Sequence, residues 1–187
     1  MKPNKTIIWS LVLMVIVAAL YRVIPGRPAN FAPQWAIAIF GGAIIKDKRI
    51  AFVLPVISML ISDLIFQGLY AAGISSVQGF YPGQWINYIL FATVTLFGFM
   101  IKKINVTNVL VVSLLAPTYF FIVSNFLTWA GVGEFVEYSK DWKGLMECYT
   151  AALPFYKNSL IATVAFSGVL FGSWYFISRP SHKNVVA

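Results

Sequence analysis

Apolar runs separated by short polar or basic punctuation fill the chain, each close to the ~20 helical residues that cross about 30 Å of hydrocarbon. Six such runs occupy residues 7–24, 31–45, 50–72, 84–101, 107–130 and 154–177. The pattern predicts a helix in each, with short connections except for residues 131–153, the longest. The second run is the shortest and opens on Asn30, Phe31, Ala32 and Pro33. Proline is tolerated in a first turn because its missing N–H would be unsatisfied there anyway, so this helix is expected to start below the surface with its free N–H groups facing a cavity. Pro55 and Pro117 fall inside the third and fifth runs, where each removes a backbone hydrogen bond, and kinks are expected at both.

Composition turns these runs into membrane spans. Of 187 residues, 59% are hydrophobic and only 11% charged, too few to clothe a water-soluble surface. The net charge of +8 sits in short clusters between the runs, not in a patch that would suit nucleic acid. With the amino terminus cytoplasmic, Lys2, Lys5, Lys46, Lys48, Arg49, Lys102, Lys103, Arg179 and Lys183 lie inside, against Arg22, Arg27, Lys140, Lys143 and Lys157 outside. That bias, with an even number of runs, predicts a multi-pass protein of a bacterial inner membrane with both termini cytoplasmic. Glu134, Glu137, Asp141 and Glu147 all fall in the last outer connection. Lys2 and Lys5, followed by the run from Ile7 to Val17-Ala18-Ala19, also fit a cleaved signal peptide, which would leave five spans. No repeat or low-complexity tract divides the chain, so a single transmembrane domain over residues 1–187 is expected.

One acid, Asp63, lies inside a run. A carboxylate at mid-membrane costs roughly 2.5 kcal/mol or more, so it marks a site or a partner. Counted from the start of its run, Asp63 sits about 20 Å across, in the outer half, at a depth Arg22 can reach from the first run. A structural Arg22–Asp63 ion pair and direct contact with a ligand are both open, while a proton relay lacks a second intramembrane acid or histidine. Other polar residues gather at the same outer ends. Asn30, Gln34, Gln67, Gln84, Asn87, Asn125 and Asn158 are joined there by Trp35, Tyr81, Trp85, Tyr88, Trp129 and Tyr156. Amide and aromatic walls suit a polar organic ligand, and the candidate binding residues are Asn30, Trp35, Asp63, Gln84, Trp85, Asn87, Tyr88, Asn125 and Asn158. An interfacial belt of Trp and Tyr with amide bonds between helices accounts for the same residues without a ligand.

Ala38 to Gly42 and Gly168 to Gly172 hold small-x-x-x-small spacings, which are expected to pack the helices together. The single Cys148 excludes an internal disulfide, and with the sole histidine, His182, in the polar tail no metal site is expected. No catalytic histidine–glutamate motif, nucleophile elbow or phosphate loop is present, so neither an enzyme nor a cofactor is expected.

Several motifs point further. Asn30-Phe31-Ala32-Pro33, Ala36 to Ala43, Ser62-Asp63, Gly79-Phe80-Tyr81-Pro82-Gly83, Ser124-Asn125-Phe126 and the stretch from Cys148 to Phe155 resemble an uncharacterised bacterial family of small six-span proteins, known from Bacteroidetes among others. The chain is more distantly similar to the substrate-binding S-components of energy-coupling-factor (ECF) vitamin transporters, including the solitary cobalamin S-components. In that likeness Ala36 to Gly42 fill the second span, Asp63 the acid late in the third, and Gly79 to Asn87 the aromatic Pro motif entering the fourth. Two departures stand out: Phe80 replaces the cobalt-ligating cysteine, and Ala18 and Ala19 are adjacent where many S-components carry an Ala-x-x-x-Ala docking spacing.

The resemblance implies an all-α, polytopic membrane protein with six transmembrane helices in an S-component-like bundle. It implies uptake of a vitamin-like small molecule from the periplasmic side, with cobalamin or another corrinoid leading, and ECF-type transmembrane and ATPase subunits as partners alongside membrane lipid. The alternative is a structural or assembly subunit of a larger membrane complex that has no ligand of its own.

Overall fold

The computed structural model describes residues 5–132 and 137–178, with side chains from residue 12 onward. Lys2, Glu134, Arg179, His182 and Lys183, which entered the charge and metal arguments above, lie outside the described residues. The described chain is all-helical, with α1 Lys5–Val23, α2 Gln34–Ile44, α3 Lys48–Ala71, α4 Gln84–Phe99, α5 Val106–Trp129 and α6 Trp142–Ser178. Three of them, α3, α5 and α6, are long and apolar enough to cross a membrane. They are compatible with a membrane protein. At ~1.5 Å per residue, α2 with its 11 residues spans only about 16 Å and α4 with 16 about 24 Å, short of a bilayer core on their own.

Local chemistry sets several helix starts. Asp47 caps α3 by accepting from the Arg49 amide at 2.9 Å, and Asn105 caps α5 by accepting from the Asn108 amide at 2.8 Å. Before α4 the chain turns through Gly83 at φ 75°, a left-handed conformation that glycine adopts freely. The sixth helix departs most from expectation, because it starts at Trp142 and not at residue 154. Asp141 caps it by accepting from the Gly144 amide at 2.8 Å, and Pro154 lies inside the helix. Lys143 and Glu147 make this stretch look like loop in a hydropathy profile, while Leu145, Met146, Ala151 and Ala152 supply the helix propensity that extends it. The long connection expected over residues 131–153 shrinks accordingly. Pro55 and Pro117 likewise lie inside continuous helices, and both are buried.

The shortest helix is the centre of the fold. α2 packs against α3, α4, α5 and α6, and Gln34 through Ile39, Gly41 and Gly42 are buried. Trp35, Ile39, Phe91, Val94, Ala116 and Phe171 belong to one apolar cluster around it, and Val15, Ala18, Ile37 and Leu54 to a second that holds α1 in place. Helices α2 and α4 meet backbone to backbone. A Cβ added at Gly42 would stand 2.4 Å from the Thr95 carbonyl oxygen, and one at Gly98 would stand 2.2 Å from that of Ile39, so only glycine fits either side of this crossing. The spacing at Ala38 and Gly42 thus packs helix to helix. The one at Gly168 and Gly172 does not, since a Cβ at either position meets nothing within 4 Å. That face of α6 is open among the described residues.

Helix α2 also starts deep. Asn158 in α6 donates to the Ala29 carbonyl at 2.9 Å, and Phe31 meets Phe166 with ring centroids 5.8 Å apart. The beginning of α2 therefore lies level with a point more than four turns into α6, about 24 Å below its first residue by helical rise. The first halves of α6 and the last turns of α5 stand above it, flanked by the connections before α2, before α4 and before α6. We refer to this as the loop-rich end. The opposite end carries the short turns after α2 and α4, where the Lys48 ammonium sits 4.1 Å from the centre of the Phe99 ring.

Candidate functional site

Two polar regions occupy the loop-rich end. The first is a closed knot around Asp63, which is 1% exposed. Arg22 reaches it from the last turn of α1: its Nη1 pairs with Asp63 Oδ1 and donates to Ser62 Oγ at 2.5 Å and to the Met59 carbonyl at 3.4 Å. The other carboxylate oxygen accepts from Gln84 Nε2 at 2.7 Å and from the Tyr88 hydroxyl at 2.6 Å, both from α4. A carboxylate inside an apolar bundle is tolerated when its lone pairs are satisfied, and here both oxygens are engaged. Helices α1, α3 and α4 are thereby joined at one atom group.

The connection between α3 and α4 is drawn into the same knot. Gln84 Nε2 also donates to the Gly79 carbonyl at 2.9 Å, and Gln67 Oε1 accepts the amides of Gly79 and Phe80 at 3.2 and 3.3 Å. Gly79 is buried, and a Cβ there would stand 1.9 Å from the Asp63 carbonyl oxygen, so the loop lies directly on the α3 backbone. Glycine is required by this close approach. Asn87 donates to the Tyr81 hydroxyl at 2.9 Å, and burial pushes the Tyr81 phenol up from its ordinary value.

The second region is an open cleft between α4, α5 and α6. Its larger chamber, about 510 Å³, runs from Tyr81 and Asn87 to Ser124, Thr128 and Val132, and the smaller, about 210 Å³, runs from Asn30 to Asn125, Tyr156 and Ser159. Phe120, Ser124 and Phe155 line both, so the two chambers adjoin along these residues. Their bulk is aromatic: Phe121 stacks on Tyr156 with centroids 4.4 Å apart and planes 20° off parallel. No cluster of His, Cys, Asp and Glu able to hold a metal occurs among the described residues.

The residues singled out from sequence divide between these regions and beyond. Asp63, Gln84 and Tyr88 form the knot with Arg22. Asn30, Asn87 and Asn125 line the cleft. Trp35 lies in the core instead, 4% exposed, its ring 4.9 Å from Phe91 and 5.6 Å from Phe120, with its indole N–H unpartnered among the described residues. Trp85 is 60% exposed and lines neither chamber, and Asn158 ties α6 to the Ala29 carbonyl. Phe120, Ser124, Thr128 and Phe155 were not among the candidates. Phenylalanines and hydroxyls in an apolar helix carry no signal by type, and only their position along α5 and α6 brings them to the cleft.

Above the cleft, the connection to α6 is tied down at its described end. Trp129 Nε1 donates to the Ser139 carbonyl at 2.9 Å, Lys140 bonds the Trp129 carbonyl, and Ser139 Oγ donates to Asp141 at 2.8 Å. The Gly144 amide first, and the Ser139 hydroxyl second, hold the Asp141 carboxyl below the usual carboxylate range.

No curated protein and no solved structure matches the chain, so the likeness to S-components rests on the sequence motifs alone. The model of one family does match, and it covers residues 2–185. The chain belongs to that family, a family of unknown function designated DUF6580.

Proposed function

We propose that this is a membrane uptake protein whose six helices lie in the bilayer with the loop-rich end outward, and that it captures a small vitamin-like solute in the cleft between α4, α5 and α6. The observation that carries the reading is the cleft: about 510 Å³ with an adjoining chamber of about 210 Å³, set above a recessed helix start. Volumes of 300–1,000 Å³ lined by aromatic walls and a few polar groups are typical of small-molecule sites. The size favours a solute of one fused ring system over a corrinoid, which is larger than the ligands such volumes usually enclose. Delivery inward, by movement of the bundle or by an ATP-driven partner, follows the S-component likeness.

Mass spectrometry of small molecules retained by the full-length protein in mild detergent tests this. A solute held by wild type and released by a cleft-filling Ser124→Trp variant is the expected result, and failure to retain any solute across detergents and nanodiscs would count against uptake. The open face at Gly168 and Gly172 favours a second reading, an assembly subunit that receives a helix of a larger complex. Co-purification of a stoichiometric partner, lost when Gly168 is changed to Leu, would select it.

A further inference from the structure

Three polar groups lining the cleft share a hydrogen-bonding character. Ser159 gives its hydroxyl hydrogen to the Phe155 carbonyl at 2.9 Å, and Thr128 gives its own to the Ser124 carbonyl at 3.0 Å. A hydroxyl has one hydrogen and two lone pairs, so both residues have only acceptor capacity left. Asn125 donates one Nδ2 hydrogen to the Phe121 carbonyl at 2.7 Å, which leaves its side-chain oxygen without a partner among the described residues and one N–H to spare. At these three positions the helices' own carbonyls have consumed hydrogens, so oxygen lone pairs outnumber the one donor left, the second Asn125 N–H.

Charge narrows the ligand further. Among the described residues, no Asp, Glu, Lys, Arg or His lines either chamber. Asp63, linked to the cleft wall through Gln84, Tyr81 and Asn87, is already matched by Arg22. A buried ion would find no counter-charge, and an anion would face oxygen lone pairs as well. Flat aromatic surfaces at the seam, Phe120 and Phe155, complete the picture by favouring a planar guest.

Resting on the solute-binding reading above, we infer that the cleft takes an uncharged planar heteroaromatic solute that donates hydrogen bonds from ring N–H or exocyclic amino groups, seated across Phe120, Ser124 and Phe155.

The test uses full-length protein in nanodiscs and four fluorescent tricycles of similar size: lumichrome, neutral with ring N–H donors; 1,3-dimethyl-lumichrome, with those donors blocked; proflavine, a cation; and anthracene-2-carboxylate, an anion. Each is titrated by fluorescence anisotropy against wild type and against Ser124→Trp, which places an indole in the seam. Phe155→Ala, at a 45% exposed position, replaces that variant if its melting curve shows misfolding. Lumichrome is expected to bind saturably, and to bind at least ~10-fold more weakly both to the variant and when its donors are methylated. If proflavine or the carboxylate binds as tightly as lumichrome and is lost in the variant, the neutral-donor class is overturned while solute binding stands. Equal binding of lumichrome and its dimethyl form overturns the donor requirement. If none of the four shows variant-sensitive binding, the inference is overturned, while the uptake reading stands or falls on the mass spectrometry of retained solutes.

Discussion

The knot around Asp63 and the cleft beside it lie at the same end of the bundle and share helix α4, yet their hydrogen bonds are arranged oppositely. In the knot, donors and acceptors from α1, α3 and α4 converge on one carboxylate and saturate it. In the cleft, Asn125, Thr128 and Ser159 each turn a hydrogen back on their own helix and keep oxygen lone pairs free among the described residues. A saturated buried charge holds helices together, whereas unsaturated groups around an open volume wait for a partner. On the function proposed above, the contrast gives the knot to architecture and the cleft to recognition.

The largest expected effect comes from attacking the knot. Asp63→Ala leaves Arg22 beside apolar helices without its counter-charge, and losing one member of a buried pair typically costs about 3 kcal/mol or more. Thermal unfolding in detergent should register a correspondingly lower midpoint. Unchanged stability together with lost ligand retention would break the comparison by moving Asp63 into the site.

Gly79→Ala should follow. Its Cβ would stand 1.9 Å from the Asp63 carbonyl oxygen, and overpacking of this kind costs about 1–3 kcal/mol. Gly168→Ala is the matched control, because its Cβ meets nothing within 4 Å; its midpoint should stay level or rise slightly as a helical glycine is replaced. Equal losses at both positions would mean that the loop does not rest on α3 as described.

A cleft variant should separate binding from folding. Asn125→Leu removes the unpaired oxygen without touching the knot, and is expected to weaken retention of the cognate solute by ~10-fold, about 1.4 kcal/mol, with little change in melting. A fall in stability without a fall in binding would reverse the roles assigned to the two regions.

The smallest effect is pH-dependent and local. Asp141 has its acidity strengthened by the Gly144 amide and Ser139 hydroxyl, so its folded-state value lies below that of the unfolded chain. It therefore supports the first turn of α6 above the unfolded value, and that support disappears as pH falls through the folded one. The protection factor of the Gly144 amide, corrected for the intrinsic pH dependence of exchange, should fall on acidification in wild type and be low throughout in Asp141→Ala.

Much of the fold was legible because apolar run lengths are read directly from sequence: the first five runs match helices to within a few residues at each end. The start of α6 was not, since Lys143, Glu147 and Pro154 imitate a boundary that the Asp141 cap and the good helix formers between them override. For the site, depth along the runs put Arg22 and Asp63 at one level, and the structure brings them into contact. Depth says nothing about which way a side chain points around the helix. Trp35 and Trp85 shared a level with the cleft residues, yet one turns into the core and the other outward. The unpaired character of Asn125 was equally hidden, because it depends on the rotamer that bonds Phe121, and residue type does not fix that choice.

The glycine crossing of α2 and α4 has a mechanical side. With backbones this close at Gly42 and Gly98, neither helix can roll or slide past the other without driving atoms into the carbonyls of Thr95 and Ile39. The pair is the stator of the bundle. Helices α5 and α6, joined along a long common seam and reaching beyond the start of α2, are held to it without such a backbone crossing.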